Sequence, residues 1–165
     1  MSTEQSAPVI KRVGERDWDQ IRLVRLAALA ESPTAFGSTL EREQLYDEKD
    51  WRKWSRDVAS FLAFHMGVAV GISGGVDGDR ADERKLIAMW VHPDHRGTGV
   101  GSALLGTVKG WARDDGATRL TLWLTRTNDA AANLYRRAGF VATGDSKPLP
   151  SNPSLTEDEL ALDLR

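Results

Sequence analysis

A run of six apolar residues, Leu86-Ile87-Ala88-Met89-Trp90-Val91, leads through Pro93 into a loop with glycines at 97, 99 and 101. A strand with one wet face alternates apolar and polar residues, so an unbroken apolar run reads as a strand covered on both faces. Beyond the glycines, Val100, Leu104, Val108 and Trp111 fall on one helical stripe that closes near Asp115-Gly116. A buried strand that turns through glycines into an amphipathic helix needs a sheet with helices laid against it. That restricts the chain to an α/β architecture.

The flanking sequence supplies the other layers. Residues 9–13 read as a first strand between Pro8 and Gly14. Trp18, Ile21, Val24 and Ala28 recur at helical spacing over residues 17–30, until Ser32-Pro33 stops them. One charged helix is expected between residues 39 and 57, with Trp51 and Trp54 on one face. Residues 61–65 and 68–73 read as a hairpin around Gly67, and Gly74-Gly75 with Asp77-Gly78-Asp79 as a turn cluster. Residues 119–124 alternate as a strand. Residues 128–138 form a helix capped by Thr127 or Asn128 and closed by Gly139. Residues 140–143 and 159–164 are the last strands. The stretch 146–153 between them is expected to be irregular, because Pro148, Pro150 and Pro153 each lack a backbone donor.

The 165 residues fit one domain, which commonly holds about 100–150 residues. We expect that domain over residues 8–165, after a disordered tail over residues 1–7 that lacks the apolar centre of a signal peptide. The absence of cysteine excludes disulfides, thiolate nucleophiles, Cys-ligated zinc and iron–sulfur clusters. It permits a reducing compartment, and a cytoplasmic location is expected. A net charge of −2 argues against nucleic acid as partner. No apolar run reaches the roughly 18 residues of a membrane span.

Glycines next to a helix start let backbone approach a phosphate, toward which the free N–H groups of the first turn point. Arg96 adds a planar donor fork. The bland alternative is a strand-to-helix turn that needs glycine only for its geometry. A nucleotide-triphosphate loop requires Gly-Lys-Ser/Thr, whereas Gly101 is followed by Ser102-Ala103; a dinucleotide fingerprint fits Gly97 and Gly99 but fails at Ser102. Between His92 and Arg137 seven bases face four acids, a surplus of three in a chain of net −2. A polyanionic ligand prefers that half, unless these are ordinary solvated charges.

The run from Val91 through His95-Arg96-Gly97-Thr98-Gly99-Val100-Gly101 resembles the acetyl-CoA pyrophosphate loop of the GCN5-related N-acetyltransferases (GNAT), Arg/Gln-x-x-Gly-x-Gly/Ala, met by Arg96, Gly99 and Gly101. Asn128, Ala131, Leu134-Tyr135 and Gly139-Phe140 look like the same family's asparagine–tyrosine helix and its exit. Ser32 to Thr39 resembles a segment of many small bacterial members, less specifically. The resemblance implies the GNAT fold: a mixed, mostly antiparallel sheet of about seven strands, splayed at its centre and flanked by about four helices. It implies acetyl-CoA as cosubstrate, no metal, and transfer to a primary amine by direct attack in a ternary complex. The acceptor is a small molecule or a peptide, and a homodimer is compatible with it.

Acetyl transfer needs alignment, a donor for the developing oxyanion, loss of an amine proton and a proton for the leaving thiolate. By resemblance, the backbone amide of Val91, with Met89 as the alternative, faces the acetyl carbonyl. Arg96, Gly97, Thr98, Gly99, Val100, Gly101 and Ser102 hold the pyrophosphate, while Asn128 and Ala131 flank the pantetheine arm. Asn128 also reads as a helix cap. Tyr135 matches the general acid, with packing beside Leu134 as the plainer role. No base is assigned: relatives carry a carboxylate near Lys85, and here Asp82, Glu83, Glu41 and Glu43 are the candidates. His92 and His95 lack partners at metal-ligand spacing and read as loop residues, and His65 has no role. Phe36, Trp90 and Trp54 are candidates to line the acceptor side, and residues 147–152 are a lid or a plain connector. The rivals are a protein N-terminal or lysine acetyltransferase, and a CoA-binding module without catalysis.

Overall fold

The computed structural model describes residues 7–165, so the expected tail over residues 1–7 lies, but for its last residue, outside the described part. Seven strands form one sheet in the order β1-β2-β3-β4-β5-β7-β6. They are β1 Val9–Val13, β2 Ala59–His65, β3 Val68–Asp77, β4 Glu83–Val91, β5 Arg119–Thr125, β6 Val141–Leu149 and β7 Asn152–Asp163. All neighbours run antiparallel except β4 and β5, which are parallel. Five α-helices accompany them among the described residues: α1 Trp18–Glu31, α2 Leu40–Glu43, α3 Glu48–Asp57, α4 Val100–Asp114 and α5 Asp129–Arg137. This is the expected mixed sheet. The helix count exceeds the expectation because the charged helix is two. Asp47 opens α3 with its own capping box, accepting the Asp50 N–H at 2.9 Å while Asp50 accepts that of Asp47 at 3.0 Å.

Strand alternation divides the core into two layers. Phe61, Ala63, Leu120 and Leu122 face α4 and α5, meeting Leu104, Leu105, Val108 and Tyr135. Leu62, Ile72 and Trp90 face the other way, against Ile21, Val24, Leu29 and Trp51 from α1 and α3. The sheet is therefore covered on both faces along β2–β4, as the unbroken apolar run in β4 requires.

Two expectations are corrected. Gly74-Gly75 is no turn but the middle of β3, and smallness is what it contributes. A Cβ on Gly75 would lie 2.3 Å from the Trp111 ring, and one on Gly71 2.9 Å from Leu104. These glycines let α4 settle onto the sheet. The stretch 146–153 is not irregular: it is the tip of the β6–β7 hairpin, with Lys147 opposite Glu157 and Pro148 opposite Thr156. Pro148 is tolerated because β6 is the edge strand. Pro153 is tolerated because β7 pairs with β5 only from Glu157 onward, leaving one side of Pro153 without a ladder. No helix among the described residues is long and apolar enough to cross a membrane.

The two environments of glycine predict opposite stability changes. Gly75→Ala overpacks against Trp111 and is expected to cost about 1–3 kcal/mol. Gly106→Ala, in α4 with open space around it, is expected to add about 0.5–1 kcal/mol. Urea denaturation of the two variants checks both signs.

Candidate active site

The β4–β5 ladder consists of three pairs, Glu83↔Arg119, Arg84↔Leu120 and Lys85↔Thr121, and then stops. On its other edge β4 stays paired to β3 as far as Gly71↔Val91. The two central parallel strands thus diverge, and residues 86–91 and 122–125 line a cleft of about 570 Å3. This lies within the usual range for a small-molecule site, about 300–1,000 Å3. A bulge sits on the diverging stretch. Ile72 pairs with Trp90 and Gly74 with Ile87, so Ser73 faces both Ala88 and Met89. Ala88 takes φ +59°, a left-handed conformation unusual for a residue with a Cβ. Such bulges re-aim backbone groups next to functional sites.

At one end of the cleft, β4 passes through a short turn, Pro93–His95, into the glycine loop and α4. Gly97 and Gly99 have φ +75° and +93°, and nothing would meet a Cβ at either. They are glycine for their backbone angles rather than for space. Gly99 is the N-cap of α4, whose first intrahelical bond runs from the Ala103 N–H to the Gly99 carbonyl. The preceding amides of the first turn have no acceptor inside the helix. Gly101 packs tightly: a Cβ there would come within 3.3 Å of Leu134 and 3.7 Å of Met89. Arg96, Gly97, Gly99, Gly101 and Ser102 line the cleft, whereas Val100 points into the core and the Thr98 hydroxyl donates to the His95 carbonyl.

α5 forms one wall. Asn128 caps it, accepting the Ala131 N–H at 3.3 Å, and both residues also line the cleft, so the two readings of Asn128 are compatible. Tyr135 lines the cleft with its ring edge-on to Phe140, 5.6 Å between centroids. Its hydroxyl makes no hydrogen bond among the described residues. Burial pushes the phenol upward, so it keeps its proton at any ordinary pH.

The opposite end is built by contacts distant in sequence. Phe36 and Trp90 line it; Trp54 does not, packing in the layer between α3 and the sheet. Arg25 pairs with Glu43 through two buried bonds of 2.9 and 3.0 Å and stacks over the Phe36 ring at 4.8 Å. The Thr125 hydroxyl donates to the Thr34 carbonyl at 2.8 Å and the Ser151 hydroxyl to that of Phe36. The hairpin tip expected as a lid or connector is thus docked on the α1–α2 connection.

Sequence reasoning missed Glu31, the last residue of α1. Its Oε2 accepts from Trp90 Nε1 at 2.9 Å, from Arg96 Nη2 at 2.8 Å and from the Ser32 hydroxyl. Burial works against its ionisation, but the hydrogen bonds from Arg96, Ser32 and Trp90 outweigh that and hold its pKa at about 2. Its only local signal is a carboxylate at a helix end. The partners lie 59 and 65 residues away.

The sequence matches the acetyltransferase (GNAT) family over residues 25–140. The chain belongs to this family. Mycothiol acetyltransferase of Propionibacterium freudenreichii subsp. shermanii is 29% identical over 147 residues, 86% of this chain and 46% of that protein. The chain thus spans about half the length of this curated relative. The fold matches yncA from Salmonella typhimurium, whose structure holds its cofactor acetyl-CoA, with TM-score 0.78 and 20% identity over 97% of this chain and 95% of that one. It also matches a GNAT-family acetyltransferase from Streptococcus pneumoniae, with TM-score 0.76 and 22% identity over 95% and 99%. Nourseothricin acetyltransferase matches with TM-score 0.61 and 27% identity over 66% of each chain.

In this GNAT chain none of the carboxylates considered as base lines the cleft. Glu83, at the start of β4, is buried between Arg119 at 3.3 Å and Arg80 at 3.7 Å. Glu43 is held by Arg25, and Glu41 lies exposed on α2. Glu157, opposite Thr125, is a buried carboxylate whose pKa burial raises, against the attraction of Lys147. His65, His92 and His95 gather beside the glycine loop, with ring centroids 5.1 and 6.0 Å apart from His95. No group of three metal-ligating side chains is arranged around a cation site among the described residues.

The lowered pKa of Glu31 has a testable sign. A carboxyl depressed from its usual 4.5 to about 2 adds stability that is fully present above the unfolded value and is lost as pH falls through the folded one. Wild type should therefore unfold at higher urea than Glu31→Gln above about pH 4.5, with the gap closing toward pH 2. A gap independent of pH would contradict this assignment.

Proposed function

We propose that this chain, as one domain over residues 8–165, transfers an acetyl group from acetyl-CoA to an amine by direct attack in a ternary complex. The observation that carries the reading is the opened seam between β4 and β5, with the N-terminus of α4 at one end and a protonated phenol in its wall. Fit to the cosubstrate rests on this chain's own geometry. Two positive-φ glycines and the unsatisfied amides of the α4 first turn suit a pyrophosphate. The unpaired edge of β4 offers peptide groups to a pantetheine arm.

In this reading the backbone of Gly97, Gly99, Gly101 and Ser102 binds the pyrophosphate, with Arg96 beside it. The seam between β4 and β5 aligns the thioester with the incoming nitrogen. The amide of Val91, or of Met89 across the bulge, donates to the carbonyl oxygen as it gains charge. The neutral amine nitrogen bonds to the acetyl carbon as the carbon–sulfur bond breaks. The Tyr135 hydroxyl gives its proton to the departing sulfur, and the proton that the nitrogen sheds passes through water and restores the phenol. The absence of cysteine removes a cysteinyl acetyl-enzyme.

For the acceptor we favour a small-molecule amine. The hairpin tip docked on the α1–α2 connection walls the acceptor end. Two of the relatives above 25% identity, mycothiol acetyltransferase and nourseothricin acetyltransferase, bear names of small molecules. Acetyl-CoA-dependent thiol release across polyamines, amino acids, aminoglycosides and short peptides tests the reading. Turnover confined to peptides would move the acceptor to the protein class.

Tyr135→Phe separates catalysis from mere binding. Because the hydroxyl has no partner among the described residues to strand, the variant should fold as wild type and bind acetyl-CoA with similar affinity. Its turnover should fall about 100-fold or more, the usual scale of a lost general acid. Equal, small effects on both quantities would assign Tyr135 to packing.

A further inference from the structure

Arg96 cannot be read as a free guanidinium waiting for phosphate. Its Nε donates to the Val91 carbonyl at 3.0 Å, and its Nη2 pairs with Glu31 Oε2 at 2.8 Å. The pair lies at the cleft rim, with both side chains partly open to water. Glu31 does not depend on Arg96 for its position. The same oxygen accepts from the indole of Trp90, which is buried in the layer against α1, and from Ser32 next to it. Ser32, Trp90 and Arg96 all line the cleft; Glu31 does not itself line it, and its carboxylate stands behind these three at the rim, partly open to water.

We propose that Glu31 is the acceptor-anchoring carboxylate of this site, held by Arg96 until a pyrophosphate takes the guanidinium and then handed to a cationic group of the acceptor. This rests on the loop reading given above. A pyrophosphate offers Arg96 more charge than one carboxylate, and in a bidentate geometry. Glu31 then keeps Trp90 and Ser32 as donors but loses its cation. It is then an ionised group held at the rim by Trp90 and Ser32. Such a group suits an acceptor bearing a second ammonium or guanidinium besides the reacting nitrogen. It also imposes an order, because the anchor is uncovered only after the cosubstrate binds. Glu31 acts here by charge rather than as a base: its hydrogen bonds favour the ionised form, which has little tendency to take a proton.

The test uses the full chain, with CoA and 1,5-diaminopentane as probes. Glu31→Gln keeps an oxygen for the Trp90 indole and removes the charge. By calorimetry it should bind CoA about three- to tenfold more tightly than wild type, because Arg96 no longer has to be detached. The gain should disappear in the Arg96→Ala background. The diamine should bind wild type only when CoA is present, and Glu31→Gln under neither condition. Unchanged CoA affinity in Glu31→Gln overturns the proposal, as does a gain that persists without Arg96. Diamine binding that is indifferent to CoA or to Glu31, or absent throughout, overturns it as well. Failure of wild type to bind CoA at all would instead overturn the loop reading, so the two failures are distinguishable.

Discussion

Three backbone pairs hold β4 to β5, and the rest of the molecule is arranged around the point where that ladder ends. Unpaired peptide groups inside a protein are unfavourable unless water or a ligand meets them. A sheet that opens at its centre must therefore be supported from outside the seam. Here the support comes from both flanks. β3 holds the other edge of β4 to its last residue, and β7 holds β5 along its full length, from Arg119 to Thr125. Each half of the sheet is continuous, so the seam opens without either half depending on the other beyond Lys85↔Thr121.

The α4 helix is set by the same constraint. It must bring its N-terminus to the seam while lying flat on β2–β4. The small residues Gly71 and Gly75 on β3 receive Leu104 and Trp111, which fixes the helix height. Gly101 fixes its approach to Leu134 and Met89 at the mouth. Core packing and the free amides of the first turn are thus two ends of one helix. A change under Trp111 would be felt at the glycine loop.

Much of this was legible in the sequence because it is local. The apolar run, the glycine spacing and the Asn128 cap are written in contiguous residues, and the strands and helices they announce are found. Where reading failed, the controlling fact was a neighbour far along the chain. Pro148 and Pro153 look incompatible with a strand until it is known that β6 is an edge and that β7 overhangs β5. Gly74-Gly75 looks like a turn until Trp111 is placed over it. Trp54 and Trp90 look equivalent, and both pack in the layer between the sheet and α1 and α3, yet only Trp90 also lines the cleft. Glu83 sits near the position where the family resemblance leads one to expect a carboxylate base, but two arginines claim it.

The two ends of the cleft are therefore built on different physical terms. At the loop end the groups on offer are backbone amides, whose positions follow from φ angles at Gly97 and Gly99 and from helix geometry. Side-chain replacement on the α1–α2 connection hardly touches them. At the other end the α1–α2 connection is held by side chains reaching backbone oxygens, Thr125 to Thr34 and Ser151 to Phe36, and by Arg25 over the Phe36 ring. Neutral bonds of this kind contribute about 0.5–1.5 kcal/mol each. That is small beside the stability of a domain, about 5–15 kcal/mol. A handful of substitutions in these tethers would reshape the acceptor end without disturbing the sheet. In the proposed reading such an arrangement would let one backbone device for a common cosubstrate serve different acceptors, with the choice residing in the segment that the sheet does not dictate.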